Sequence, residues 1–150
     1  MKPSGLLRHL ATASIFAVTA YALSYGWIQH RRVAKGPWQV TFTSQSGAPA
    51  IVVNQPALPI QDVRIVFAGE PAGASPDQTL EFSETRPVPF EVPGGQCVFL
   101  DPLFLPGTVV LDLFGHEIQL MPRVLTIDKV EHPWRPRETI TLTKPAAPVP

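Results

Sequence analysis

Cysteine is almost missing from this 150-residue sequence, with Cys97 the single example. One cysteine forms no internal disulfide and offers no C-x-x-C pair for redox chemistry or zinc. None lies near the N-terminus, which excludes a bacterial lipid-modified cysteine there. Catalytic signatures are missing as well. Ser44, Ser46, Ser75 and Ser83 stand outside any G-x-S-x-G elbow, and the acidic residues are scattered. No glycine-rich phosphate loop or dinucleotide fingerprint occurs. These absences argue against an enzyme and against a bound cofactor. Charge is sparse too, and uneven. Residues 1–32 hold Lys2, Arg8, Arg31 and Arg32 with no acid, whereas the remainder holds 8 basic and 12 acidic residues. A nucleic-acid binder carries a basic body; this body is mildly acidic, so nucleic acid is not its expected partner.

Proline, by contrast, is abundant. The chain has 18, a share of about 12% where about 5% is ordinary. Spread from Pro37 onward, they argue against long helices and for short strands with punctuated connections. The N-terminal part is different. Leu10 to Ile28 is a 19-residue stretch without a charge, and as a helix it would span about 28 Å, close to the hydrocarbon thickness of a bilayer. Tyr25 and Trp27 stand where interfacial aromatics belong, and Gln29-His30-Arg31-Arg32 ends the run. This predicts a single-pass membrane anchor. The alternative is a signal peptide cleaved near Ala22, because Ala20-Tyr21-Ala22 fits the small-x-small pattern. Basic residues flank both ends almost equally, so orientation rests on the signal-like start, which favours a domain outside the cytoplasm.

Beyond the linker Val33–Gly36, ten strands are predicted: 38–43, 50–54, 63–68, 79–83, 88–92, 96–100, 108–114, 117–121, 124–127 and 139–143. The alternation of Trp38-Gln39-Val40-Thr41-Phe42 and of Ile140-Thr141-Leu142 carries the reading. Gly107–Asp128 is its centre. With Gly115-His116 as the central pair of a hairpin turn, Leu113 pairs with Ile118 and Leu111 with Leu120. These four leucines and isoleucines then share one face, and Asp112, Glu117 and Gln119 share the other. The expected organisation is a membrane or signal segment with linker over 1–36, an all-β, immunoglobulin-like antiparallel β-sandwich over 37–144, and a Pro/Ala tail over 145–150.

Two stretches stand out as contact candidates. Glu131-His132-Pro133-Trp134-Arg135-Pro136-Arg137 sets Trp134, Arg135 and Arg137 between stiffening prolines, and Trp and Arg dominate binding hot spots. The opposing reading has Trp134 folding back to seal the edge of the sandwich. Phe99 to Pro106 is more apolar than an exposed loop should be, so Phe104 and its neighbours either plug the core or dock on a membrane or partner. A metal site is the alternative, drawing on Cys97, His116 and His132. An anchor followed by an immunoglobulin-like domain is similar in layout to cytochrome oxidase copper-delivery proteins, but Gly95 stands where their Cys-x-Cys pair needs its first cysteine. His116 reads more simply as a polar turn residue and Cys97 as a small inward hydrophobe. The sequence therefore points to a non-catalytic, membrane-anchored accessory or interaction module, of the kind that assembles or stabilises an envelope complex. A copper-handling protein is the alternative. The expected partners are the membrane and a protein within it or in the envelope.

Overall fold

The computed structural model describes residues 5–73 and 76–144; Ser75 and the proposed tail at 145–150 lie outside the described residues. The N-terminal helix α1 runs Gly5–Val33, 29 residues or about 43 Å, with no buried residue. It is long and apolar enough to cross a membrane. No proline occurs between Pro3 and Pro37 to interrupt it. Two of its hydroxyls turn back on the helix itself. Thr12 Oγ1 donates to Arg8 O at 2.8 Å and Ser24 Oγ to Ala20 O at 2.7 Å, which satisfies them without water. His30, Arg31 and Arg32 occupy the last turn, where positive charge meets the negative end of the helix dipole. Gly36, at φ 73°, donates its N–H to Val33 O at 3.2 Å and ends the helix.

Eleven strands follow: β1 Gln39–Gln45, β2 Ala48–Gln55, β3 Ile60–Ala68, β4 Gln78–Glu81, β5 Phe90–Val92, β6 Gly95–Asp101, β7 Thr108–Leu113, β8 His116–Leu120, β9 Leu125–Ile127, β10 Val130–His132 and β11 Thr139–Thr143. They form two sheets, ordered β11-β3-β2-β1-β4 and β10-β9-β8-β7-β6-β5. All pairs are antiparallel except β11 with β3. The two sheets share one core, to which Val40, Ile51 and Ile65 contribute from the first and Leu111, Leu113, Ile118 and Leu120 from the second. The chain passes between sheets at two places, from β4 to β5 and from β10 to β11.

The central hairpin keeps its predicted faces with a corrected register. Leu113 pairs with His116, Asp112 with Glu117 and Leu111 with Ile118, so the turn is Phe114-Gly115. Both turn residues have positive φ, 51° and 82°, as a type I′ turn requires. Moving the turn by one residue slides the pairing by two, and two is the side-chain period of a strand. Leu111, Leu113, Ile118 and Leu120 therefore remain fully buried, and Asp112 remains exposed. Two further differences follow from the same geometry. His116 is not a turn residue but the first of β8, 5% exposed. Glu131 and His132, read as loop, belong to β10, which pairs with β9 through a second tight turn at Asp128-Lys129.

The registers give the body two distinct ends. β1 begins next to the helix, so the loops at 54–60, 101–107, 121–124 and 132–138 lie at the helix-proximal end. The turns at Ser46-Gly47, Pro93-Gly94, Phe114-Gly115 and Asp128-Lys129 lie at the opposite, distal end.

Candidate functional site

All four predicted contact residues fall at the helix-proximal end. Trp134 sits where the chain crosses between sheets. Its ring stacks on Trp38, centroids 5.4 Å apart, and its Nε1 donates to Met121 O at 2.8 Å. Trp38 is fully buried and donates its own Nε1 to Gly107 O at 3.0 Å. The two indoles thus close this end of the core, with each polar N–H satisfied by a loop carbonyl. Trp134 is half-buried; Arg135 and Arg137 beside it are exposed. Arg137 has φ 61° and donates its N–H to Gln61 O at 2.8 Å, while Arg64 N–H donates to Glu138 O at 2.8 Å. Those two bonds tie the arginine loop to the start of β3. Arg135 lies 3.8 Å from Glu138, a solvent-facing pair that contributes little to folding.

Phe104 lies on the neighbouring loop, and the predicted apolar run divides there. Leu100 packs against the core and Pro106 is buried, whereas Leu103 and Phe104 are 52% and 54% exposed. The loop is joined to the helix by two hydrogen bonds across Arg32. Arg32 Nε donates to Leu103 O at 2.9 Å, and Leu105 N–H donates to Arg32 O at 2.7 Å. Asp101 Oδ1 accepts from Leu103 N–H at 3.1 Å and orders the loop's entry. The helix exit is clamped a second time by Gln55, which is fully buried. Its Nε2 donates to Gly36 O at 2.9 Å and Pro37 O at 3.1 Å, and its Oε1 accepts from Ala57 N–H at 2.9 Å. Sequence reasoning missed Gln55 and Arg32. The signal present was a glutamine just past the apolar run Ala50-Ile51-Val52-Val53, one residue beyond Asn54 at the end of the strand.

The three residues of the metal alternative do not come together. His116 and His132 lie at opposite ends of their strands, separated along β8 by four residue steps, about 13 Å. Metal–ligand bonds are about 2.0–2.3 Å. Cys97 lies between them in level, paired with Leu111, fully buried, and its Sγ meets Phe99 O at 3.4 Å. Burial pushes its thiol pKa up, as for an inert core cysteine. Among the described residues no group of three His, Cys, Asp or Glu side chains could hold a metal ion.

His116 has another partner, one the sequence reading did not find. Its Nδ1 lies 2.6 Å from Asp128 Oδ2, and Asp128 Oδ1 accepts Glu117 N–H at 2.9 Å. Partial burial alone would raise the Asp128 pKa, but these two hydrogen bonds and the nearby imidazole outweigh it and lower the value. At the distal end a cleft of about 250 Å³ opens between Phe42, Pro49, Pro93 and Phe114. Thr43 and Ser44 are its polar lining, and none of its described lining residues titrates near neutrality.

Compared with known proteins, the chain matches no family model, no curated protein and no solved structure.

Proposed function

We propose that the protein is a membrane-tethered accessory module without catalytic activity, its β body held outside the cytoplasm beside a protein partner of the same membrane or envelope. One observation carries this reading: α1 buries none of its residues, yet its last turn is fastened to the body through Arg32 and the linker after it through Gln55. Each apolar Å² left in water costs about 25 cal/mol, and a bilayer is the solvent that removes that cost along a whole helix. The body is further read as an immunoglobulin-like sandwich. Two largely antiparallel sheets on one core support that layering, although β5 to β10 follow one another as a meander where immunoglobulin domains use Greek-key connections.

The partner surface in this reading is the arginine loop. Arg135 and Arg137 are exposed on a segment already ordered by Trp134 and by the bonds to β3, so little further entropy is lost on docking. Their position at the helix-proximal end suits a partner embedded in the same membrane. The test is crosslinking in intact membranes with and without Arg135→Ala/Arg137→Ala, together with a reporter fused after residue 36. Loss of a crosslinked species with unchanged thermal stability supports the reading. Cytoplasmic reporter activity, or a mature chain beginning at Leu23, would overturn the anchored, exported topology. Unchanged crosslinks would remove the arginines from the interface.

A further inference from the structure

We propose that the Leu103–Phe104 loop is a second membrane-contacting element, lying in the headgroup layer of the same bilayer that α1 crosses. This rests on the reading of α1 as a membrane span. Arg32 bonds to both sides of the loop, donating to Leu103 O and accepting from Leu105 N–H, so the loop is held at the level of Arg32 along the helix. That level is four residues beyond Ile28, the last residue of the uncharged run, or about 6 Å along the axis. A headgroup layer is about 5–8 Å thick on each side of the hydrocarbon, so the loop falls within it.

The side chains suit that depth. Leu103 and Phe104 are adjacent large apolar residues, each more than half exposed. They project from a segment framed by Pro102 and Pro106 and pre-ordered by Asp101. A loop exposed to water gains nothing from such a pair, whereas the headgroup–acyl boundary is where a short apolar tip is covered. The surrounding charge is mainly basic, with Asp101 as the acid that caps the loop's entry. Arg31 and Lys35 are exposed on either side of Arg32, and Arg123 is exposed on the next helix-proximal loop. The Arg31 guanidinium lies 4.9 Å from the Trp27 ring centroid, so the indole and the cation sit together as they do in an interfacial belt. With one contact at the helix and a second at the loop, the body rests on the bilayer surface rather than standing clear of it.

The test is depth-dependent fluorescence quenching of the full-length chain in vesicles of equimolar phosphatidylcholine and phosphatidylglycerol, with no other protein present. An environment-sensitive label is introduced singly through Phe104→Cys, Val18→Cys or Asp112→Cys, with native Cys97 buried and unreactive. Lipids brominated near the headgroup should quench the label at 104 and shift its emission to the blue. The label at 112, on an exposed site toward the distal end, should behave as in water. Adding Leu103→Asp should return the label at 104 toward the water-exposed signal while leaving the label at 18 unchanged. If 18 is quenched by lipids brominated deep in the chains but 104 matches 112, the loop does not touch lipid and the inference falls while the anchor stands. If 18 is not quenched either, the anchor reading fails and the inference falls with it. A label at 104 that is silent in these vesicles but shielded in native membranes would assign the loop to a protein partner and equally overturn the lipid contact.

Discussion

The two ends of the β body are closed by different physics. The distal end is closed locally, by two-residue turns in which Ser46-Gly47, Phe114-Gly115 and Asp128-Lys129 all take positive φ and pass each strand directly to its neighbour. The helix-proximal end is closed at long range. Trp38 reaches Gly107, Gln55 reaches Gly36 and Pro37, Arg32 reaches Leu103 and Trp134 reaches Met121, over separations of 13 to 71 residues. Tight turns dominate one end, with the His116–Asp128 pair beside them, whereas the other relies on long-range bonds from both side chains and backbone. Adaptable contacts belong at the second, because its longer loops are free to vary in sequence where the two-residue turns are not.

The sharpest way to break the distal end is Leu113→Asp, which puts a carboxylate on the fully buried face of the central hairpin. The expected loss is several kcal/mol, about 3 or more by denaturant titration, or failure to fold, because the carboxylate would be buried among apolar side chains with the already paired His116 as its cross-strand neighbour. The corresponding test at the proximal end is Trp134→Ala. It removes the Trp38 stack and the Met121 bond, and should cost about 3 kcal/mol, the low end for a buried aromatic because Trp134 is only half-buried. A loss below about 1 kcal/mol would mean that the indole pair does not seal this end. A smaller effect is expected from acid. The Asp128 pKa is lowered in the folded chain, so the unfolded chain binds the proton more readily, and the resulting stabilisation is present above about pH 4. It fades as pH falls through the lower folded value. Asp128→Asn should therefore narrow the difference in melting temperature between about pH 6 and about pH 3; an unchanged difference would sink the role of the His116 pair. Least of all, Asp112→Asn on the exposed face should stay within about 0.5 kcal/mol of the parent chain.

The same division explains how much was legible beforehand. A 19-residue uncharged run and a period-two alternation are local signals, and both α1 and the faces of the central hairpin follow from them. The register error was invisible to the pattern because a slip of two leaves every face unchanged. It surfaced only in His116, whose place in β8 depends on Asp128 twelve residues on. β10 was missed because three residues, Val130-Glu131-His132, carry too few positions to show alternation. At the candidate site, composition alone singled out Trp134, Arg135, Arg137 and Phe104. That they share one end of the body depends on pairing between strands far apart in the chain, and no local pattern encodes it. The Cys97, His116 and His132 alternative arose for the same reason, since three donors in a sequence say nothing of their distances in space.

The buried amide of Gln55 has a mechanical consequence. By holding the carbonyls of Gly36 and Pro37, and with Arg32 bonded to the 103–105 loop, it restricts the swivel that the short linker after α1 would otherwise provide. Helix and body then turn as one lever. Transmembrane helices tilt by tens of degrees to match their apolar length to the local bilayer thickness. If α1 spans a bilayer as proposed, the heading of the whole β body would change with that tilt, and a thicker or thinner membrane would re-aim the helix-distal turns without altering a single contact inside the protein.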